Sequence, residues 1–350
     1  MPDELADPGD DAAPADLPPD SPGSGDPVVA VARAPSRRQT FRLEGRAAPG
    51  LYLVAWGLAI AGFGAIFIAV ASGGSSGSGV AFVLGIAALG VGLTAGSGSQ
   101  ALQRRADGAV YAGPSPLLVF GAALALTLVV GFAIGAIGGL PDGPFAVLAS
   151  VLVQAVISIG LIALVVVSPG SLGWREMGLR LPGPGAGSVV GDVALGVGLA
   201  FPTLFGSALL AALLVALLGV APVSPLPPAR DPAEVLLNLL AAAVIAPLWE
   251  EIFFRGFTTT AWQRAAGARA AIVRGAVFFA LVHVVTLAGN DFGTALRTAF
   301  IAFAVRLPVG LVLGWVFLRR GTLVAPIALH AVYNTIPVLL VALGAGAARG

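Results

Sequence analysis

This sequence predicts an all-α, polytopic transmembrane helix bundle of about eight to nine spans, with its N-terminus in the cytoplasm. Three observations predict it. Of the 350 residues, 57% are hydrophobic and only 11% are charged, whereas soluble domains carry about 25% charged residues. The apolar residues gather in stretches near the length of about 20 residues that crosses a bilayer. The arginines gather in alternate aqueous segments between those stretches.

The chain opens on material of a different kind. Residues 1–47 are rich in Pro, Asp, Ala and Gly. Such a segment buries too little apolar surface to offset its ordering entropy, so a disordered tail is expected. Arg33, Arg37, Arg38, Arg42 and Arg46 close it, next to the first apolar stretch. No short apolar segment with a cleavage site precedes them, so no removable signal peptide is expected.

Spans are then expected at 51–72, 80–96, 116–138 and 145–168, which form an N-terminal group within 48–168. The second is the shortest and is glycine-rich. Five more, at 189–219, 235–258, 271–288, 295–318 and 322–342, form a core within 169–343. Glycines such as Gly131, Gly135 and Gly196 let helices approach closely. Tyr52 and Trp315 suit the membrane interface.

Arg104 and Arg105, Arg175 and Arg180, Arg264 and Arg269, and Arg319 and Arg320 share the side of the N-terminal arginines. The positive-inside rule makes that side cytoplasmic. Counted at about 1.5 Å per residue, Glu250 and His330 then lie about 12 Å in from it, and His283 about 12–18 Å. A shared depth on that side predicts a cavity that opens to the cytoplasm.

The chemistry sits in the apolar stretches. Pro247 to Gly256 reads Pro-Leu-Trp-Glu-Glu-Ile-Phe-Phe-Arg-Gly. Charged groups at that depth cost about 2.5–3.5 kcal/mol each on insertion scales, and by default they mark function. Both histidines of the chain, His283 and His330, also fall inside apolar stretches. Glu251 and Arg255 are one helical turn apart and can pair. Glu250 points about 100° away and stays free of that pair. Phe279 stands a turn before His283, and Asn334 a turn after His330. A free carboxylate, two imidazoles and an amide can activate a water and hold an oxyanion. Glu250, His283 and His330 are equally a zinc set with an open position. No outer partner for the two imidazoles is legible, which favours the glutamate-activated water. Arg306, with Pro308 after it, sits mid-span; it can clamp a substrate carboxylate, pair with Glu251 or mark a broken helix. A net charge of +1 gives no basic field for nucleic acid. With no cysteine there is no disulfide, thiolate site or cysteine nucleophile.

Glu250-Glu251-x-x-x-Arg255, Phe279-x-x-x-His283 and His330-x-x-x-Asn334, in that order on separate spans, resemble the three motifs of the CAAX prenyl protease and bacteriocin-processing family. These are the CPBP or Abi intramembrane endopeptidases. The segment from Trp174 to Arg180 and the stretch from Gly310 to Asn334 fit the same resemblance, which covers about residues 170–340. It implies hydrolysis of a peptide bond near the membrane surface, in a membrane-anchored peptide or protein held by the bilayer. The first mechanism assigned to the family is that of a metalloprotease. Carried over by position, Glu250 would activate the water, Glu251 and Arg255 would hold their helix, and Phe279 would pack. His283 and His330 would ligate zinc or polarise, and Asn334 would stabilise the oxyanion. Heavy Ala, Gly, Val and Arg usage points to a bacterial plasma membrane. Two other function classes stay open on the residues alone. One is a scaffold or immunity protein that holds a partner without cleaving it. The other is a proton-coupled transporter using Glu250, Glu251 and Arg255 as a relay, for which no inverted repeat is visible.

Overall fold

The computed structural model describes residues 42–72, 77–181, 188–220, 226–284 and 291–347, and among them the regular elements are helices. The expected tail lies outside the described residues up to position 41. Nine helices follow in order among the described residues. They are α1 (Pro49–Ala71), α2 (Ser78–Ala106), α3 (Pro116–Ala136), α4 (Pro144–Val167), α5 (Val189–Leu218), α6 (Pro232–Ala266), α7 (Ala268–Val282), α8 (Phe292–Arg320) and α9 (Val324–Ala347). All but α7 are long and apolar enough to cross a membrane.

The helix starts follow from local chemistry. Proline occupies the first turn of α1, α3, α4 and α6, where a missing N–H costs nothing. Asp231 accepts the Glu234 N–H at 2.9 Å and Asp291 the Thr294 N–H at 3.0 Å, capping α6 and α8. At the far end of α8, Gly321 takes the left-handed conformation (φ 68°) that ends the helix.

Glycines set the packing distances. A Cβ on Gly62 of α1 would stand 2.7 Å from the Gly85 carbonyl of α2, and one on Gly85 would stand 2.8 Å from the Gly62 carbonyl. The two backbones therefore touch directly, as small residues allow between apolar helices.

One expected span is corrected. The stretch 271–288 is helical only to Val282, and residues 285–288 lie outside the described residues. His283 supplies the reason. Its Nδ1 lies 2.6 Å from the Phe279 carbonyl, the acceptor that its own backbone N–H would use in a continuing helix. The side chain competes with the ladder and ends it.

The loops at one end of the bundle are bonded to one another. The Ala47 N–H meets Gln103, Arg105 meets the Pro169 carbonyl, and Ser171 meets the Ala112 carbonyl at 3.0 Å. Arg264 bonds Glu176 at 2.6 Å, Arg180 bonds the Gly321 carbonyl at 3.2 Å, and the Leu323 N–H bonds the Gly178 carbonyl at 3.0 Å. Arg320 and Thr322 both hold the buried Asp192 at the start of α5. Four of the arginine-bearing segments, with Ala47 that follows the first, fall together at one end of the described residues. The Arg264 guanidinium, with the Gly173 N–H, holds the Glu176 carboxyl below the usual carboxylate range.

Helix α6 runs on to Ala266, so Glu250 stands about 24 Å along it from that end, His283 about 22 Å from the start of α7 and His330 about 9 Å from the start of α9. The apolar run stops near residue 258, while the helix continues as a polar extension through Gln263 and Arg264.

A labelling experiment tests the orientation, because the chain has no cysteine of its own. Ala266→Cys at the arginine-rich end and Ala233→Cys at the other are both exposed. Membrane-impermeant maleimide on intact cells is expected to label position 233 and leave 266 until the cells are opened. The reverse pattern would invert the protein in the membrane.

Candidate active site

Helix α6 carries the centre of the site and is irregular there. Two of its segments, Leu240–Ile245 and Glu251–Thr259, are π-helical. Such wide turns concentrate at functional sites because they displace a carbonyl from the regular ladder. Within the first segment the Ala242 carbonyl accepts the Asn334 Nδ2–H at 2.8 Å. The amide of α9 is thereby fixed against α6.

Glu251 is completely buried and has two partners. Its Oε1 lies 2.8 Å from Arg255 Nη1 and 2.7 Å from His330 Nδ1. The sequence reading gave it Arg255 and, as an alternative, Arg306, which among the described residues bonds the Ala302 carbonyl instead; the bond to His330, 79 positions away, was missed. Arg255 also stacks on Phe279, with its guanidinium carbon 4.4 Å from the ring centre, a cation–π contact strengthened by burial. The other contacts of Phe279 are the rings of His283, His330 and Phe254, at 4.5, 5.8 and 5.2 Å between centres. It separates the buried arginine from the two imidazoles.

Glu250 faces the other way. Its Oε2 lies 3.7 Å from His283 Nε2 and 3.9 Å from His330 Nε2, and it is buried without a hydrogen-bond partner. Both imidazoles have their other nitrogen committed. A carbonyl only accepts, so His283 Nδ1 carries the hydrogen given to Phe279. His330 Nδ1 likewise gives its hydrogen to the Glu251 carboxylate. Rings so held turn Nε2 toward Glu250, and in the neutral form that nitrogen accepts. A water between them would donate to two such acceptors.

Zinc would need closer convergence. Two ligand atoms about 2.0–2.1 Å from a tetrahedral ion stand about 3.3 Å apart, less than the 3.7 and 3.9 Å found here. Among the described residues no three His, Cys, Asp or Glu form a group that could hold a metal ion. The sequence argument against zinc had rested on missing outer partners, and that ground is corrected: Phe279 and Glu251 supply them.

Two cavities meet at these groups. The first, about 500 Å³, is lined by Glu250, His283, His330 and Asn334, with Asn238, Arg306 and Tyr333. It runs out along Pro337, Val341 and Ala342 of α9 to the loop at Leu226–Ala229. The second, about 1000 Å³, lies between α3, α4, α6 and α8 and is lined by Phe120, Leu124, Phe132, Trp249 and Phe254. No residue of the bonded arginine-bearing loops lines either one. The expected opening toward those loops is therefore corrected: the mouth at Leu226–Ala229 is at the opposite end. Sequence reasoning also missed Asn238, whose Nδ2 bonds the Pro227 carbonyl at 3.0 Å and steadies that mouth. A lone amide in an otherwise apolar stretch was the available signal.

The family model of the Rce1-like type II CAAX prenyl endopeptidases matches residues 232–336, from the start of α6 through Asn334. No curated protein and no solved structure matches the chain.

Glu251→Gln is expected to destabilise the fold by about 3–5 kcal/mol, because Arg255 is left charged and buried without its carboxylate. Glu250→Gln removes no ion pair of that kind and is expected to leave stability near wild type. Thermal unfolding of both variants in detergent, with folded yield alongside, measures the difference. Equal midpoints for the two would remove the structural role of Glu251.

Proposed function

We propose that this chain, whose residues 232–336 match the Rce1-like type II CAAX prenyl endopeptidases, is a multi-pass membrane endopeptidase in which Glu250 activates the attacking water. The proposed catalytic unit is 169–343, with the helices of 48–168 packed beside it. The substrate class is a membrane-anchored peptide or protein, and the compartment is a bacterial plasma membrane. The observation that carries the reading is the opposition of Glu250 Oε2 to two imidazole Nε2 atoms at 3.7 and 3.9 Å, with both Nδ1 atoms committed elsewhere.

The steps follow from that arrangement. A water lodged between Glu250 and the imidazoles gives a proton to the carboxylate as its oxygen attacks the scissile carbonyl carbon. The oxyanion that forms takes the Asn334 Nδ2–H not used by Ala242. The C–N bond then breaks and the leaving nitrogen takes the proton held by Glu250, giving a free carboxylate and a free amine. His330 is braced for the charge changes in between. A carboxylate behind Nδ1 stabilises the imidazolium that forms when Nε2 takes a proton. Burial of the whole set strengthens each of these interactions.

Purified protein in lipid nanodiscs, offered acyl-anchored peptides with a fluorophore and quencher across the peptide, tests the reading. Glu250→Gln is expected to lower kcat by about 10²–10⁴-fold with the fold intact. A strong chelator is expected to leave the wild-type rate unchanged. Loss with chelator and recovery with zinc would move the chemistry onto a metal. A folded wild-type protein that cleaves no anchored peptide would instead favour a scaffold that binds without cutting.

A further inference from the structure

Arg306 is the charged residue of the cavities that the proposed hydrolysis leaves unused. It stands at the middle of α8, fourteen residues from each end of a helix that runs Phe292–Arg320. Its hydrogen bond is to the Ala302 carbonyl of its own helix, at 3.0 Å, and among the described residues it forms no ion pair. Arg255 offers the contrast. That guanidinium is sealed in, with its charge matched by Glu251 and its Nη2 shut off from any partner. No nitrogen of Arg306 is among the sealed, unpartnered atoms. Its unused N–H groups face open space, and that space is the two cavities, both of which it lines.

The two cavities share Glu250, His283, Val305, Arg306, Pro337 and Val341. Arg306 is therefore the one cation where they join, beside the carboxylate proposed as base. Glu250 and Tyr333 feel its charge but neither is paired with it at contact distance; a guanidinium at membrane depth without a contact ion pair is expensive, and such a residue marks a place where an anion arrives. A planar fork of N–H donors matches a carboxylate in two parallel bonds, which a point charge cannot do. The surrounding walls are mostly apolar, so the pair would form in a lower dielectric than water and discriminate against a neutral group.

We propose that Arg306 is a specificity-determining residue that seats a carboxylate of the substrate at the junction of the two cavities, next to the scissile bond. This rests on the endopeptidase reading for its meaning, but the binding it describes is measurable without turnover. The carboxylate has two sources in a peptide, the C-terminal α-carboxylate and an acidic side chain close to the cleavage point.

The test uses the full-length Glu250→Gln protein in nanodiscs and three acyl-anchored fluorescent peptides of one sequence. One ends in a free acid, one in an amide, and one in an amide with a glutamate placed one residue before the end. Fluorescence anisotropy gives each Kd. The acid peptide is expected to bind at least tenfold tighter than the plain amide. The third peptide assigns the source, since only a side-chain site binds it as tightly as the acid. Adding Arg306→Gln is expected to bring all three to the affinity of the plain amide. That retained affinity shows the cavity still folded. Arg306→Lys is expected to restore part of the preference. No preference in the starting protein, a preference that survives Arg306→Gln, or an equal loss for acid and amide peptides would each overturn the proposal. Failure of the hydrolysis reading registers elsewhere, as turnover by Glu250→Gln equal to wild type, and leaves these affinity ratios standing.

Discussion

The site depends on one buried carboxylate. Glu251 has no exposed surface, and its Oε1 is shared between Arg255 and His330. A carboxylate in this environment is tolerable only with partners of opposite charge or with donated hydrogens. Satisfying it has three consequences. The face of α6 that carries Glu251 and Arg255 must turn into the core, and there Arg255 also finds the ring of Phe279. His330 must point Nδ1 inward, which leaves Nε2 on the cavity side. Glu250, the next residue, must then face roughly a quarter-turn away, toward the cavity that the two histidines share. The pair of glutamates is thus a division of surroundings. One is paired at Oε1 and sealed, its Oε2 buried without a partner, and the other is held beside the Nε2 atoms of two imidazoles.

The ends of the bundle divide in the same way. At the arginine-rich end the polar groups satisfy one another, from Ala47 and Gln103 through Glu176 and Arg264 to Asp192, Arg320 and Thr322. Met177 of that region is wholly buried, and its carbonyl comes so near Gly256 that a Cβ there would stand 2.9 Å away. Among the described residues, none of the loops at that end lines either cavity. The opposite end carries the mouth at Leu226–Ala229. With the arginine-rich end cytoplasmic, the proposed substrate would reach Glu250 from the non-cytoplasmic side.

The helices were legible because lipid demands them. An apolar run of membrane length has few alternatives to a helix, and the arginine alternation matched the loops that the structure brings together. The pairing of Glu251 with Arg255 was legible for a local reason, since four positions along a helix meet whatever the rest of the chain does. What escaped was non-local or against the regular period. No sequence spacing ties His330 to Glu251. The π-helical turns of α6 look like ordinary helix in composition, because the same residues fit both. His283 ends its helix by a bond to its own preceding turn, and the apolar residues after it gave no sign of a stop. The end of α6 was misjudged because hydropathy marks where apolar residues cease, and α6 continues past that point to Ala266 as a polar helix.

A peptidase in a bilayer has to bring two incompatible materials to one point, an apolar anchor and a water. Both cavities mix apolar and polar walls. The larger carries Phe120, Leu124, Phe132 and Phe254 together with Thr127, Ser150, Gln154, Ser158 and Thr298, and the smaller carries Asn238, Tyr333 and Asn334 along its course to the surface. They share Glu250, His283, Val305, Arg306, Pro337 and Val341. In the proposed chemistry that junction decides more than any single side chain. A segment that filled one cavity alone would not cross Glu250. Only a chain long enough to occupy both at once would stretch its peptide bond across the proposed water, so that selection for extended, membrane-anchored substrates would follow from the shape of the site.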